Sequence, residues 1–257
     1  MTEQEIHLQL GTKIFGRKLF CFETIDSTNL FAKSLTTEEF DEGTLVIAER
    51  QSAGRGRLGR SWRSESGKNL TFSILLKPKI SPEYIGILSI YASLAVAEAI
   101  EELVTIGPKC KWPNDVLLNK KKTCGILSEA VFHDKKLSGV IIGIGLNVNQ
   151  LDFPTTLRAP ATSLALEGGH TFDRIHVLVC VLEKLEFWYG HLQLGQFQEI
   201  LDRWRMHSSM FGKELTIDQD GTELKGIAKS LDADGGLIVL VNGIEQKVLA
   251  GDVAVRE

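Results

Sequence analysis

Short apolar runs alternate with glycine-rich and polar stretches along most of the chain, a pattern typical of a mixed sheet packed by helices. Strands are predicted at residues 44–49, 69–77, 110–111, 116–118, 125–132 and 137–144. Helices are predicted from near residue 27, from 82 to about 104, and over 172–191 and 197–206. A tight turn at 133–135 joins the last two strands as a hairpin. The pattern therefore predicts an α+β fold, a mixed β-sheet packed by helices.

The helix predicted from Pro82 carries its apolar residues on one stripe, so one face is expected to pack on the sheet. The stripe consists of Ile85, Leu88, Ala92, Val96 and Ala99. The long segment 52–68 holds four glycines and little apolar content, which predicts a loop. A loop of that length inside a compact domain is usually functional.

The character of the chain changes after Phe211. Five short β-like runs follow, separated by Asp-Gly, Gly-Gly and Asn-Gly turns. About 45 residues of this kind suit a small β-barrel. We therefore predict a catalytic domain over residues 1–210 and a small C-terminal β-barrel over 211–257.

Composition excludes several classes of protein. The 257 residues are 43% hydrophobic and 24% charged, as in soluble globular proteins, so a disordered chain and a disulfide scaffold are excluded. The net charge of −4 argues against a basic nucleic-acid binder. Within this mildly acidic chain, however, five arginines fall between Arg50 and Arg63, and three lysines stand together at 120–122. Such clusters need an explanation.

Cysteine usage and the chain's start indicate a cytoplasmic protein without a membrane partner. None of the four cysteines forms a CxxC pair, so a structural zinc site is not expected and the thiols are read as reduced. The first residues lack the pattern of a secretory signal, and no stretch of about 18 apolar residues predicts a membrane span.

The first candidate motif is QSAGRGRLGRSW at residues 51–62. Its glycines would let backbone N–H groups approach an anion, its arginines add charge, and Trp62 offers a flat face for a purine. It is neither a Walker A loop nor a dinucleotide fingerprint. The expected ligand is a phosphate-bearing small molecule, with nucleic acid as the competing possibility.

The second motif is KWPNDV at residues 111–116, followed by the three lysines. Asp115 is a candidate ligand for hydrated Mg²⁺, or equally a turn-capping residue. Lys122 could neutralise carboxylate or phosphate charge at the mouth of a strand, although a lysine in such a run is usually solvated.

Two weaker motifs complete the set. GIGLNVN at residues 143–149 is either a strand-end turn or a close approach of backbone to a ligand. DSTN at residues 26–29 reads first as a helix N-cap, and its hydroxyls and amide could also bind a polar ligand. The six histidines stand singly and suggest no catalytic or metal cluster.

These four motifs, in this order and at this spacing, resemble biotin–protein ligase, also called biotin–[acetyl-CoA-carboxylase] ligase. The resemblance spans roughly residues 25–257, and GRGR followed by KWPND is its most specific part. It implies an enzyme that joins biotin to ATP, giving biotinyl-5′-AMP, and transfers biotin to a lysine of a biotin carboxyl carrier protein. It also implies Mg²⁺ and a possible homodimer.

The resemblance assigns roles to individual residues. Lys122 and Arg57 would be catalytic, while Asp115 stays the metal candidate on the chemistry of its carboxylate alone. The biotin site would comprise Ser27, Thr28, Asn29, Gln51, Gly54, Arg55, Gly56, Arg57 and Lys122. The ATP site would comprise Arg55, Arg57, Arg60, Trp62, Lys111, Asn114, Lys122, Asn147 and Arg256. These assignments agree with the chemistry, because biotin carboxylate and the α-phosphate are both anions whose repulsion must be offset.

Some members of this family carry an N-terminal winged helix-turn-helix and act as repressors. Only about 25 residues precede DSTN here, whereas an independent domain needs about 50, so no operator binding and no nucleic-acid partner are expected. Two alternatives stay open. One is a lipoate or octanoyl ligase of the same fold, which would need an apolar slot for its acid. The other is a non-catalytic RNA-binding protein that uses the arginine-glycine loop.

Overall fold

The computed structural model describes residues 1–35, 40–134, 136–219 and 221–255. The helices are α1 (Glu3–Gln9), α2 (Thr28–Leu35), α3 (Ile87–Leu103), α4 (Leu164–Gly168), α5 (Arg174–Gln193) and α6 (Phe197–Met206). The first strands are β1 (Leu19–Ile25), β2 (Leu45–Gln51), β3 (Leu70–Leu76), β4 (Lys109–Lys111), β5 (Asp115–Leu118), β6 (Lys121–His133) and β7 (Lys136–Leu146). The last are β8 (Glu214–Gln219), β9 (Thr222–Leu231), β10 (Leu237–Val241), β11 (Ile244–Val248) and β12 (Asp252–Val255).

Seven strands form one mixed sheet in the order β1-β2-β3-β7-β6-β5-β4. β1 and β2 are parallel because α2 provides the crossover between them, and the other neighbours are antiparallel. α2 packs on one face, while α3, supported by α5 and α6, packs on the other. The predicted α+β class is confirmed.

Helix α3 differs from the single stripe that its sequence predicts. The segment from Pro82 first forms a 3₁₀ turn (Pro82–Tyr84), and the α-helix starts only at Ile87. From there it is buried almost all round, because the sheet covers one side while α5 and α6 cover the others. The polar groups on these other sides have partners: Ser93 Oγ accepts from Trp204 Nε1 at 2.9 Å, and Glu98 accepts from Trp188 Nε1 at 2.8 Å.

The predicted hairpin is longer than its apolar residues indicate. β6 begins at Lys121 and β7 ends at Leu146, so the lysine run leads directly into a central strand. This places Lys122 on rigid structure beside β5. Of the predicted turn, Lys135 lies outside the described residues.

Two elements near the start of the chain were not predicted. α1 is held by a capping box, in which the Thr2 side chain accepts from Glu5 N and the Glu5 carboxylate accepts from Thr2 N. The T-x-x-E spacing is the signal that could have revealed it. Strand β1 is half-exposed at the edge of the sheet and shows no clean alternation.

The C-terminal strands form an antiparallel sheet in the order β11-β10-β9-β8-β12, where the sequence predicts the small barrel. Trp112 Nε1 donates to Gly235 O at 3.0 Å, and Leu215, Ile217 and Val239 join the same apolar core as the large sheet. The division at residues 210 and 211 stays a prediction.

The four cysteines are free, as predicted. Burial raises the pKa of the Cys21 thiol to about 11 and raises the pKa values of Cys110 and Cys124 further. These thiols are therefore protonated at neutral pH and are not activated nucleophiles.

Candidate functional site

A pocket opens on the α2 face of the large sheet, beneath the glycine-rich loop, and all four motifs contribute to it. The predicted site residues that line it are Ser27, Thr28, Asn29, Gln51, Arg55, Gly56, Arg57, Arg60, Trp62, Asn114, Asp115 and Lys122. These residues come from segments that are far apart in sequence. Their convergence makes the pocket the candidate site.

The inner end of the pocket is neutral and polar. Thr28 N donates to Gln51 Oε1 at 2.7 Å, and Thr28 Oγ1 lies 3.0 Å from the same oxygen. Ser27, only 2% exposed, sits just before α2, so the predicted helix start is confirmed. Hydroxyl and amide groups here can exchange hydrogen bonds with a neutral polar ligand.

A second polar layer lies beneath these residues and was not predicted. Ser73 on β3 is fully buried, and its Oγ lies 2.7 Å from Thr28 Oγ1 and 2.6 Å from Asn29 Oδ1. Asn29 Nδ2 donates in turn to Glu129 Oε2 at 2.6 Å. Ser73 is the polar residue near the middle of an apolar strand, which is the only local signal that could have found it.

The glycine-rich loop folds back on itself over the pocket. An isolated bridge joins Arg55 to Ser61, and Gly56 N donates to Arg60 O at 2.7 Å. Gly54 does not line the pocket. A Cβ at Gly54 would lie 2.5 Å from the Trp62 carbonyl oxygen, so its glycine allows the loop to close.

Trp62 lies over a floor made of two glycines. A Cβ at Gly145 would overlap the indole, and a Cβ at Gly125 would lie 3.1 Å from it. The Trp62 Nε1 is buried and has no hydrogen-bond partner among the described residues. Such an orphaned donor is costly unless a ligand or water satisfies it. The glycines of GIGLNVN lie at the end of β7 and line the pocket, and their approach to a ligand stays a prediction.

Cations surround the outer end of the pocket. Arg57 donates to Asn114 Oδ1 at 3.2 Å and to Gly251 O at 3.3 Å, which ties the loop to the C-terminal sheet. Burial lowers the pKa of Arg57, although the nearby Asp115 opposes this. Arg60 pairs with Asp252, which also accepts from Arg158 at 2.8 Å. Asp252 and Arg158 were not predicted.

Lys122 and Asp115 form an ion pair inside the pocket. The Lys122 Nζ lies 2.5 Å from Asp115 Oδ1 and 5.8 Å from the centre of the Trp62 ring. Asp115 Oδ1 is buried and accepts no well-aligned hydrogen bond from the described residues. A paired ammonium and carboxylate are thus placed beside the Trp62 ring.

Residues 21–147 match the family model of the biotin/lipoate A/B protein ligases. The bifunctional ligase/repressor BirA of Bacillus subtilis is 35% identical over 255 residues, which cover 98% of this chain and 78% of that protein. The biotin–[acetyl-CoA-carboxylase] ligase of Mycobacterium tuberculosis is 33% identical, over 98% of this chain and 95% of the relative. The chain belongs to the biotin protein ligase family. It is therefore an enzyme.

The fold leads to the same family. The biotin protein ligase from Aquifex aeolicus, solved in complex with biotin and ATP, superposes with a TM-score of 0.79 at 31% identity. The match covers 93% of this chain and 99% of that one. Both the large sheet and the C-terminal sheet therefore have counterparts in a known biotin protein ligase.

Three residues predicted for the ATP site of this ligase do not line the pocket as described. Lys111 is half-buried beside it, and burial lowers its pKa, which Asp115 partly opposes. Asn147 is buried and donates from Nδ2 to Thr162 O at 3.0 Å, so in this structure it holds the segment before α4. Arg256 lies outside the described residues. Their roles toward ATP stay predictions.

Among the described residues there is neither a cluster of metal-ligating side chains nor a membrane-spanning helix. No group of three or more histidine, cysteine or carboxylate side chains in this part of the chain is placed to hold a metal ion. No helix among the same residues is both long and apolar enough to span a bilayer.

Proposed function

We propose that this chain activates biotin with ATP as biotinyl-5′-AMP and then transfers biotin to one lysine of a biotin carboxyl carrier protein. The observation that carries the proposal is the composition of the pocket. Its inner end offers the neutral polar groups of Thr28 and Gln51, and its outer end offers the cations Arg57 and Lys122. Biotin has a neutral ring system and a carboxylate at the far end of its side chain. The ring needs the neutral polar groups, and the carboxylate and the nucleotide phosphates need the cations.

In the first step a biotin carboxylate oxygen attacks the α-phosphorus of ATP. A new P–O bond forms, the bond to the β-phosphate oxygen breaks, and pyrophosphate leaves. Both reactants are anions, so Lys122 and Arg57 would offset their repulsion and stabilise the charge that develops on the phosphate. Trp62 would pack against adenine, and its unpaired Nε1 would find a partner in the ligands.

Asp115 fits a hydrated Mg²⁺ that arrives with the nucleotide. Mg²⁺ takes one or two carboxylates and completes its shell with water and phosphate oxygens, and the Asp115 carboxylate lines the pocket. The ion would supply further charge neutralisation at the phosphates. Lys122, whose Nζ lies 2.5 Å from Asp115 Oδ1, would orient the carboxylate.

In the second step the amine of the acceptor lysine attacks the acyl carbon of the adenylate. An amide bond forms, AMP leaves, and the amine loses a proton. The adenylate is a mixed anhydride that water would hydrolyse, so the loop that carries Arg55 and Gly56 would exclude water until the acceptor arrives. The other site residues keep the roles that the resemblance assigns to them.

The organisation proposed for this enzyme is a catalytic domain over residues 1–210, followed by a small domain over 211–257. A homodimer is proposed through β6. Its end nearest β5 is paired on both sides, whereas residues 127–133 pair only with β7 among the described strands. An unpaired edge of this kind can pair with the same edge of a second copy. Sedimentation velocity, run with and without biotin and ATP, would measure the assembly.

One assay tests the central proposal. Labelled pyrophosphate should exchange into ATP only when biotin is present, and lipoate should not replace it. Exchange that is independent of biotin, or supported equally by lipoate, would overturn the proposal. The cytoplasmic location and the lack of operator binding stay predictions, which fractionation and a gel shift at physiological salt would check.

A further inference from the structure

The polar layer beneath the pocket has more oxygen–oxygen contacts than hydroxyl protons. Ser73 Oγ lies 2.7 Å from Thr28 Oγ1 and 2.6 Å from Asn29 Oδ1, while Thr28 Oγ1 lies 3.0 Å from Gln51 Oε1. Amide oxygens carry no proton, so only the two hydroxyls can supply one. Two protons must serve three contacts, and one contact stays without a hydrogen.

Glu129 fixes the direction of the hydrogen bonds at one end of this series of contacts. A carboxylate accepts hydrogen bonds, so the Asn29 atom 2.6 Å from Glu129 Oε2 is the amide nitrogen. The same nitrogen lies 3.5 Å from the carbonyl oxygen of Leu127, a second acceptor. The Asn29 oxygen is thereby turned toward Ser73. At 2.6 Å that contact requires a proton, and only Ser73 can donate it.

The direction of the Ser73 hydrogen bond determines, in turn, where the Thr28 hydroxyl donates at the pocket wall. Because the Ser73 proton is committed to Asn29, the Thr28 proton has two acceptors in reach, Ser73 Oγ at 2.7 Å and Gln51 Oε1 at 3.0 Å, and the shorter contact favours Ser73. The contact left empty is the longest, the 3.0 Å separation of Thr28 Oγ1 from Gln51 Oε1. The Gln51 oxygen cannot turn away, because Thr28 N donates to it at 2.7 Å. Two acceptor oxygens therefore stand side by side in the pocket wall.

We propose that Ser73 and Glu129 are positioning residues that set this direction, so that Thr28 Oγ1 and Gln51 Oε1 together accept an N–H group of the ligand. The inference rests on the proposed function and deepens it. The ring N–H of a cyclic urea, as in biotin, fills the empty contact. A dithiolane ring has no N–H, and it would leave the buried Thr28 Oγ1 without a donor and facing a second acceptor, Gln51 Oε1. Sites built for a hydrogen bond reject ligands that lack it far more strongly than apolar slots reject a change in size.

The first test is Ser73→Ala, assayed by biotin-dependent pyrophosphate exchange. Without the Ser73 oxygen, the Thr28 proton turns to Gln51 and fills the contact meant for the ligand. The KM for biotin should rise about tenfold or more, while kcat and the KM for ATP stay within about twofold of the parent. Ser93→Ala is the matched control, because Ser93 is also fully buried and hydrogen-bonded but lies in α3 on the opposite face of the sheet.

The second test uses Glu129, which is half-buried and can be changed without opening the core. Glu129→Gln keeps an acceptor for the Asn29 nitrogen and should keep the parental KM for biotin within about threefold. Glu129→Ala frees the Asn29 amide to turn over, so the KM for biotin should rise as it does in Ser73→Ala. This pair reports on positioning even if Ser73→Ala folds poorly.

The outcomes separate the inference from the function on which it rests. If the parent shows no biotin-dependent exchange, the proposed function is wrong. If the parent is active but Ser73→Ala and Glu129→Ala keep the parental KM for biotin, the inferred direction of the hydrogen bonds is wrong. An equal rise of the KM for biotin in Ser73→Ala and Ser93→Ala would also overturn the inference, because a general structural defect would then explain the data. The same holds for an equal rise in Glu129→Ala and Glu129→Gln.

Discussion

Lys122→Met is the substitution that best separates catalysis from stability in this enzyme. Methionine keeps a long unbranched side chain and removes the charge that lies 2.5 Å from Asp115 and beside the Trp62 ring. If Lys122 stabilises the charge on the α-phosphate, its loss should reduce the rate of adenylate formation while the fold survives.

Two free energies can be compared for this variant. Removing one well-placed donor from a transition state typically lowers kcat by about 100- to 1,000-fold, or about 3–4 kcal/mol. The loss of the ion pair should cost the fold only about 1 kcal/mol, because Lys122 and Asp115 are partly solvated and Asp115 keeps Arg57 and Lys111 nearby. For a chain of this size, 1 kcal/mol lowers Tm by about 2–4 °C.

The measurement pairs the rate of biotin-dependent pyrophosphate exchange with thermal unfolding of the same preparation. Lys121→Met is the matched control. Lys121 precedes Lys122 on β6, pairs with Glu167 at 3.2 Å and does not line the pocket. A Lys122→Met enzyme that keeps a third or more of the parental rate would refute the reasoning, and so would an equal loss in Lys121→Met.

Three further substitutions test other parts of the structure. Arg57→Ala should release free adenylate, measured as biotinyl-AMP in an ultrafiltrate, because Arg57 ties the loop down; complete retention would contradict this. Gly145→Ala should displace the Trp62 indole, because the new Cβ overlaps the ring, and should raise the KM for at least one substrate at least tenfold in steady-state assays. Gly190→Ala is the control, because the space at its Cβ is open, and its KM values should not change. Burial lowers the pKa of His207 below 6.5, so the unfolded chain binds its proton first and the free energy of unfolding should fall as the pH drops below about 6.5. His207→Gln should flatten that part of the urea-unfolding profile, and an unchanged slope would show that His207 is not responsible.

The sequence allowed the pocket to be predicted because its main residues carry their chemistry locally. Alternating glycine and arginine after a strand, or a lysine run before one, is visible without knowledge of the fold. The burial of α3 on nearly all sides was not visible in the same way, because its depth depends on α5 and α6 packing beside it. Local periodicity therefore gave the helix but not its surroundings.

The site residues that the sequence did not reveal reach the site through the pairing of strands and the packing of the two sheets. Ser73 reads as a polar residue in an apolar strand, and it reaches Asn29 because it pairs with Gly143 across β3 and β7. A side chain at Gly143 would overlap the Asn29 amide, so the glycine makes room for that contact. Asp252 reaches Arg60 from the other sheet. No spacing along the chain encodes such contacts, since they depend on which strands become neighbours.

The spacing of the glycines in β7 connects the two ends of the pocket. Gly143 accommodates Asn29 at the polar end, and Gly145 accommodates the Trp62 indole at the cationic end. Residues two apart on a strand face the same side, about 6.6 Å from one another, so one strand fixes the distance between the two chemistries. A slip of one residue in the pairing of β7 would turn both glycines away and present the Ile144 side chain to the pocket. The register of this central strand is therefore a requirement of function as much as of folding.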